Sequence, residues 1–244
     1  MTADAKAGLT PLGARSAFTL GPRRFTALDA AMLGSLALLV ALHLVAAALG
    51  AGWVTAAATV GLTAALLGVI ACRRAWRPLV ARLLLFSLVA GVLELFTDFA
   101  GDVVARSLVY PPGGPTLWAS PLYMPLSWMV TLTQIGYLAW RLDTLAPRPP
   151  RWAAIIMTGL WGALNIPFYE EMAFHAGWWR YAAAPGLGHT PYYVMLFEGL
   201  VAALLPPLLA RLETRAWWSV ALRGVALGIW TPWAALFAWL LIGR

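Results

Sequence analysis

Apolar residues are concentrated in seven runs, each close to the length of a membrane span. The runs cover residues 28–49, 51–71, 79–104, 120–140, 152–175, 191–210 and 217–242. About 20 consecutive apolar residues in a helix cross the hydrocarbon core of a bilayer, and shorter, more polar segments separate the runs. The pattern predicts an all-α integral membrane bundle of about seven transmembrane helices.

Composition agrees with this prediction. The chain is 61% hydrophobic and 11% charged, with a mean hydropathy of +0.76, whereas soluble domains carry about 25% charged residues. Its single cysteine, Cys72, excludes an internal disulfide framework and a cysteine-based metal site. No internal repeat is evident. We therefore expect one transmembrane domain over residues 27–244, preceded by a tail over residues 1–26 that lacks the apolar core of a signal peptide.

The basic residues predict an orientation. With alternating spans, fourteen Lys and Arg residues fall on the side of the N-terminus and three on the other side. Under the positive-inside rule, the N-terminus is cytoplasmic and the C-terminus lies outside, and we expect a multi-pass protein of the bacterial cytoplasmic membrane. These loops account for most of the basic residues behind the net charge of +7, so the expected partner is the lipid bilayer and not nucleic acid.

Six of the ten acidic residues lie within or near apolar runs. They are Glu94, Asp98, Asp102, Glu170, Glu171 and Glu198. A helical rise of about 1.5 Å per residue puts Glu94 and Glu198 at nearly the same level in the outer half of the membrane. Asp98 follows Glu94 by four positions and therefore shares its helical face. The spacing predicts that carboxyls from three helices converge.

Such a cluster is expensive to bury. An acidic residue at the centre of a span costs about 2.5–3.5 kcal/mol on insertion scales and usually marks function. Because burial and like-charge repulsion both disfavour the ionised form, some of these carboxyls are expected to hold protons and to serve as general acids beside an ionised base. The alternative is a structural hydrogen-bond network between helices, or contact with headgroups for Asp102, Glu170 and Glu171.

Other polar and aromatic residues in the spans are candidates for substrate binding. They are His43, Trp128, Asn165, Tyr169 and Trp161. An aromatic face beside carboxyls would stabilise a developing carbocation. For His43 and the two tryptophans, ordinary packing is the competing interpretation.

Metal sites are a further alternative. Glu171 and His175 are spaced i, i+4, which could bring both to one metal, but an isolated pair is weak evidence. Asp98 and Asp102 offer the hard oxygen ligands that Mg²⁺ prefers, in a segment that resembles an intramembrane prenyltransferase motif. The second aspartate-rich motif of that family is not found. The sequence favours metal-independent chemistry without a cofactor.

Three segments carry a resemblance to proteins of carotenoid biosynthesis. They read Glu94-Leu-Phe-Thr-Asp98, then Val109-Tyr110-Pro111, then Ser120-Pro-Leu-Tyr-Met-Pro-Leu-Ser-Trp128. In this order they resemble the motifs of carotenoid hydratases, although the second aromatic–glycine pair of that pattern is missing after Gly101.

Two further segments resemble other membrane enzymes. Asn165-Ile-Pro-Phe-Tyr-Glu170-Glu171 is similar to the proline–glutamate–glutamate segment of membrane lycopene cyclases. The small helical terpene cyclases, bacterial and fungal, likewise use buried acids in about seven spans. Thr190-Pro-Tyr-Tyr-Val-Met-Leu-Phe-Glu198 is similar to the last acidic helix of the sterol-isomerase-like fold. A bacterial family with no assigned reaction stays open as well.

These resemblances imply a membrane enzyme that protonates an isoprenoid lipid, such as a carotenoid, terpene or sterol-like molecule, and so drives cyclisation, hydration or isomerisation. Glu94 and Asp98 would be the acid–base pair and Glu198 their partner from another helix. Glu170 or Glu171 would be a secondary candidate. The alternative is a non-enzymatic lipid-binding membrane module or a small proton-linked carrier.

Overall fold

The computed structural model describes residues 25–145 and 151–243, so the expected cytoplasmic tail lies almost entirely outside the described residues. The helices are α1 Ala27–Leu49, α2 Trp53–Cys72, α3 Arg77–Phe99, α4 Met124–Leu145, α5 Arg151–Ala176, α6 Tyr192–Ala203, α7 Leu205–Leu209 and α8 Trp217–Ile242. A π-helical turn, Ala100–Val104, continues α3, and a 3₁₀ turn, Leu212–Thr214, follows α7. Because α6 and α7 together make one span, the prediction of an all-α bundle of seven membrane helices is confirmed.

Five of the spans are long and apolar enough to cross a membrane: α1, α2, α3 with its π turn, α6 with α7, and α8. The other two, α4 and α5, have the necessary length but carry more polar side chains. Helix α4 packs against α1, α2, α3, α5 and α7, which buries its polar residues Gln134 and Arg141. Helix α5 presents an exposed apolar stripe that includes Met157, Leu160 and Leu164, as expected of a lipid-facing surface.

Prolines explain two departures from the predicted spans. The fourth span begins at Met124 and not near residue 120, because Ser120–Pro121 forms a short strand before the helix. The sixth span breaks at Leu204, where Pro206 and Pro207 occupy the first turn of α7. A proline has no backbone donor and is tolerated in a first turn, where no intrahelical partner is needed.

One end of the bundle, here called the arginine end, carries the α2–α3, α4–α5 and α7–α8 connections and the start of α1. Arg141 pairs with Asp29 at 2.8 Å, and the Tyr137 hydroxyl donates to the same carboxylate at 2.7 Å. Asp29 also caps α1 through a reciprocal capping box with Thr26. Asp29 is only 6% exposed. It is therefore a buried residue that links α1 to α4 through its ion pair and hydrogen bond, and not the exposed loop or edge residue that its position suggests.

The opposite end, here called the hairpin end, holds three short antiparallel strand pairs in the described residues. Strands β2 Thr116–Leu117 and β3 Ser120–Pro121 form a hairpin before α4. Strands β5 Gly186–Leu187 and β6 Thr190–Pro191 form a hairpin before α6. Strand β1 Leu108–Val109 pairs with β4 Arg180–Tyr181, so it ties the α3–α4 connection to the α5–α6 connection.

Glycines set how closely the helices pack beneath this end. A Cβ at Gly162 on α5 would lie 2.5 Å from the Cβ of Ala202 and 2.8 Å from the carbonyl oxygen of Glu198 on α6. On α8, a Cβ at Gly228 would lie 2.5 Å from the Cβ of Leu93 on α3. Small residues of this kind let membrane helices approach at backbone distance. The contacts therefore fix the helices next to the positions that carry acids.

Candidate functional site

A cavity of about 350 Å³ lies in the half of the bundle next to the hairpin end. Residues of α1, α2, α3, α4, α5, α6 and α8 line it. Its volume lies in the range of small-molecule sites, about 300–1,000 Å³. Four of the acids highlighted from the sequence line this one cavity: Glu94 and Asp98 from α3, Glu170 from α5 and Glu198 from α6. The level estimated for Glu94 and Glu198 therefore corresponds to a shared cavity.

Glu94 and Asp98 form a direct carboxyl pair on successive turns of α3. They are 2% and 4% exposed, and Asp98 also lies beside the hydroxyls of Ser120 and Tyr110. Within the described part of the chain, neither Glu94 Oε2 nor Asp98 Oδ2 has a hydrogen-bond partner. Because two buried carboxylates in contact repel each other, such a pair is suited to share one transferable proton.

Glu170 has a different environment. The indole Nε1–H of Trp179 donates to Glu170 Oε2 at 2.6 Å, and the Tyr181 hydroxyl donates to Oε1 at 3.3 Å. Both donors come from the segment that follows α5 and includes β4. Two donors on one carboxyl compensate a negative charge, so this group is suited to accept a proton. Glu198 lies across the cavity on α6, where the Gly162 contact fixes its backbone.

Aromatic side chains form much of the wall. The His43 ring contacts Tyr169 and Trp178, with centroids 5.0 and 4.9 Å apart. Its Nδ1 is 2.8 Å from the Leu39 carbonyl oxygen, so in a neutral ring Nδ1–H donates and Nε2 is the acceptor nitrogen. Trp128 lies 6.2 Å from Phe197. Of the residues predicted to bind substrate, His43, Trp128, Asn165 and Tyr169 all line the cavity.

Three predicted residues lie elsewhere. Trp161 belongs to the lipid-facing surface of α5 and is 46% exposed. Glu171 faces His175 and His189 outside the cavity, because consecutive residues of a helix point about 100° apart. Asp102, on the π turn, is also not among the residues that line the cavity.

The cavity has an apolar rim. Val104 on the π turn and Leu236 on α8 both line it, and they are 72% and 45% exposed. On a membrane helix, exposed apolar residues face lipid tails. The cavity therefore has an apolar edge at the outer surface of the bundle.

Apart from Tyr169, sequence reasoning missed the tyrosines of the cavity, which are Tyr110, Tyr181 and Tyr193. The signal that points to them is a repeat. Pro115-Thr-Leu-Trp-Ala-Ser-Pro-Leu-Tyr123 and Pro185-Gly-Leu-Gly-His-Thr-Pro-Tyr-Tyr193 share Pro, Leu, Pro and Tyr at equal positions. Each segment is a hairpin closed by an equivalent backbone bond, from Leu122 N to Pro115 O and from Tyr192 N to Pro185 O, both 2.9 Å. The prediction that the chain lacks a repeat was wrong, because the match is short and interrupts the helical pattern.

The repeat extends to the acids. Strand β1, which ends just before Tyr110, pairs with strand β4, which ends at Tyr181. Tyr110 lies beside Asp98, and Tyr181 lies beside Glu170. Asp98 precedes its tyrosine by twelve positions and Glu170 precedes its own by eleven. The π turn after Asp98 accommodates such an extra residue, since its hydrogen bonds span five positions rather than four. Each half thus supplies one carboxyl–tyrosine pair.

The hydroxyl of Tyr110 is suited to donate a hydrogen bond rather than to ionise. Burial raises its pKa well above the ordinary value, and the neighbouring carboxyls of Asp98 and Glu94 raise the pKa further. A tyrosine that stays neutral can donate to a carboxylate or to a bound oxygen over the whole physiological range.

Fold and site together define a multi-pass helical membrane protein with an acid-lined, aromatic internal cavity. Residues 95–242 match the family described as Domain of unknown function (DUF6989), and the chain belongs to this family. The matched stretch contains both hairpins and the acids Asp98, Glu170 and Glu198, whereas Glu94 precedes it by one residue. Comparisons with curated proteins and with solved structures gave no match.

Proposed function

We propose that this protein is a membrane enzyme that protonates an isoprenoid lipid and so initiates cyclisation, hydration or isomerisation. The observation that carries the proposal is the convergence of Glu94, Asp98, Glu170 and Glu198 on one aromatic cavity with an apolar rim. Such buried acids are costly in a bilayer and are usually retained for function. The resemblance to carotenoid hydratases and to membrane lycopene and terpene cyclases is consistent with this chemistry.

The Glu94–Asp98 pair is the acid. Its shared O–H bond breaks, the proton goes to one carbon of a substrate alkene, and the alkene π electrons form the new C–H bond. The other alkene carbon becomes a cation, and the pair is left with one more negative charge. The nearby carboxylate and the faces of Trp128 and Tyr169 stabilise that cation.

Glu170 or Glu198 is the acceptor. It takes a proton from a carbon next to the cation, and the released C–H electrons form a new double bond. In a hydration, a water molecule bonds to the cation and gives its proton to the same carboxylate. Neither route changes the oxidation state of the substrate overall, so the residues of the cavity suffice without a cofactor.

The substrate class follows from the surroundings of the cavity. Val104 and Leu236 at the rim suit an apolar chain that is already dissolved in the bilayer. A carotenoid would insert one end of the molecule, and a shorter terpene or a sterol-like lipid would insert more of its length. The bias of basic residues supports a cytoplasmic N-terminus, which would put the cavity in the outer leaflet of a bacterial cytoplasmic membrane.

A proton-linked carrier is the second candidate, and the repeat favours it. The α3–α4 and α5–α6 pairs begin at the same end, and parallel repeats of this kind occur in transporters. A carrier must, however, open to both sides. The Asp29–Arg141 ion pair and the Arg82 bond to the Arg215 carbonyl close the arginine end, which supports one-sided access and hence the enzyme.

Product analysis tests the enzyme. Cells that make candidate prenyl lipids are supplied with the native chain, Glu94→Gln, Glu198→Gln or the control Asp143→Asn, and lipid extracts are compared by mass spectrometry. We expect a new product with the native chain and the control, and none with Glu94→Gln. Unchanged product in both glutamine variants at equal expression would contradict the proposal. Solute uptake into proteoliposomes without chemical change would support the carrier instead.

A further inference from the structure

Outside the cavity, three side chains of metal-binding type meet at the hairpin end. Glu171 and His175 lie one turn apart on α5, and His189 lies at the tip of the β5–β6 hairpin. Glu171 Oε1 is 3.1 Å from His175 Nε2, and Glu171 Oε2 is 2.9 Å from His189 Nδ1. The three potential ligand atoms lie within 4.8 Å of one another. None of the three residues lines the cavity.

The hairpin is shaped to hold His189 against Glu171. Gly188 has a left-handed backbone with φ of +59°, and a Cβ there would lie 2.7 Å from Glu171 Oε2. Glycine adopts this conformation without strain and leaves room for the carboxylate. The His189 backbone N–H donates to the same oxygen at 3.2 Å, and the His189 ring stacks on Phe174 with centroids 3.5 Å apart. Both the backbone and the ring of His189 are therefore fixed.

We propose that Glu171, His175 and His189 bind a divalent transition-metal ion, with Zn²⁺ as the expected cation. Two imidazoles and one carboxylate form a common zinc ligand set that leaves a fourth position for water. The side chains of Glu171, His175 and His189 are 34%, 51% and 40% exposed, so a fourth ligand can reach the ion from solvent. This site is independent of the proposed protonation chemistry.

The bound ion would fasten the β5–β6 hairpin to the end of α5. That hairpin leads directly into α6, which carries Glu198, while α5 carries Glu170. The ion would thus set the spacing between two helices of the cavity. The first hairpin uses other means: Trp118 and Ala119 stand where Gly188 and His189 stand in the second, and Trp118 packs on Phe96 at 5.2 Å.

The competing interpretation is a hydrogen-bonded Glu–His–His cluster that needs no metal. Calorimetry distinguishes the metal site from the metal-free cluster. The full chain is purified in detergent micelles without a polyhistidine tag and is stripped of metal with EDTA. It is then titrated with ZnCl₂ alone. We expect one tight Zn²⁺ per chain. Because loss of a residue that merely supports a ligand already weakens metal sites about 10–100-fold, loss of a ligand in Glu171→Gln or His189→Gln should weaken binding by about 100-fold or more.

Two controls keep the test decisive. Cys72→Ser removes the chain's single thiol, which lies at the other end of the bundle, and it should leave Zn²⁺ binding unchanged. His189→Gln changes an exposed hairpin tip, and an unaltered thermal transition in EDTA would show that it folds. X-ray absorption spectra recorded at the zinc edge should show two imidazole ligands on the bound Zn²⁺. Equal Zn²⁺ binding by the native chain and His189→Gln, or the absence of a tight site in the native chain, would overturn the proposal.

Discussion

The α3–α4 and α5–α6 halves share a backbone plan but differ in side chains. Both halves run from the arginine end through a helix, a hairpin and a second helix, and both hairpin tips contain a left-handed residue, Trp118 with φ of 56° and Gly188 with φ of 59°. Both put a carboxyl beside a tyrosine. They differ at the fifth position after the shared hairpin tyrosine, where one half has Trp128 and the other has Glu198.

The two halves also differ in the surroundings of their carboxyls. In the first half, Glu94 and Asp98 contact each other, and each has one buried oxygen without a partner in the described structure. In the second half, Glu170 accepts from Trp179 and Tyr181. Asp98 also lies beside the hydroxyls of Ser120 and Tyr110, so the feature that distinguishes the first half is the contact between its two carboxyls. Two carboxyls in contact suit a proton donor, and a single carboxyl with an indole and a phenol donor suits a proton acceptor. Under the proposed function, the two halves of the repeated scaffold would therefore supply a proton donor and a proton acceptor.

The largest expected effect comes from removing one carboxyl from each half. Asp98→Asn should lower substrate consumption by about 100-fold or more, because general acid catalysis contributes about 10²–10⁴-fold. Glu170→Gln should leave protonation possible and divert part of the cation to other products, because one of the two proposed acceptors, Glu170 and Glu198, is lost. Substrate loss and product ratios are measured together by mass spectrometry. If both variants consume substrate at the native rate, the distinction between the halves is wrong.

A smaller effect is expected from the packing of the second half. Gly162→Ala should destabilise the protein by about 1–3 kcal/mol, as overpacking does, because the new Cβ meets Ala202 and the Glu198 carbonyl. The lipid-facing Gly61→Ala on α2 is the matched control, since no atom lies within 4 Å of its Cβ position. Thermal unfolding in detergent measures both. Equal transition temperatures for the two variants would contradict the close α5–α6 packing.

The smallest effect concerns the tyrosines and pH. The pKa values of Tyr110 and Tyr181 are both raised well above the ordinary value of about 10, with burial as the main cause. Each group therefore contributes stability that is fully present below about pH 10 and is lost as the pH rises towards the raised pKa, because the unfolded chain ionises first.

Denaturant unfolding at pH 9, 10 and 11 measures this loss. Each of Tyr110→Phe and Tyr181→Phe should reduce the alkaline loss of unfolding free energy by about 1 kcal/mol per pH unit, since one proton per unit is worth about 1.4 kcal/mol. Tyr192→Phe, at a side chain that is 48% exposed, is the control for the loss of a hydroxyl outside the cavity. Native slopes in both Tyr110→Phe and Tyr181→Phe would show that neither cavity tyrosine has a raised pKa.

Much of the fold was predictable because each span is encoded locally. Each run of apolar residues between arginine-rich turns predicts one helix without reference to the others. The rise per residue of a helix was enough to place Glu94 and Glu198 at one level. The hairpins were not predictable in the same way. Ser120–Pro121 and Thr190–Pro191 are two-residue strands, and such short pairings have no periodicity of their own.

The sequence by itself determined the membrane class, the number of helices and the common level of Glu94 and Glu198 along the bundle, because burial in lipid demands long apolar helices whatever their neighbours. Only the tertiary structure decided which way each side chain turns. It separated Glu170, in the cavity, from Glu171, at the His175–His189 cluster, and it buried Asp29 against Arg141. The rotation of a helix about its axis is set by packing between helices, and packing depends on residues far apart in the chain.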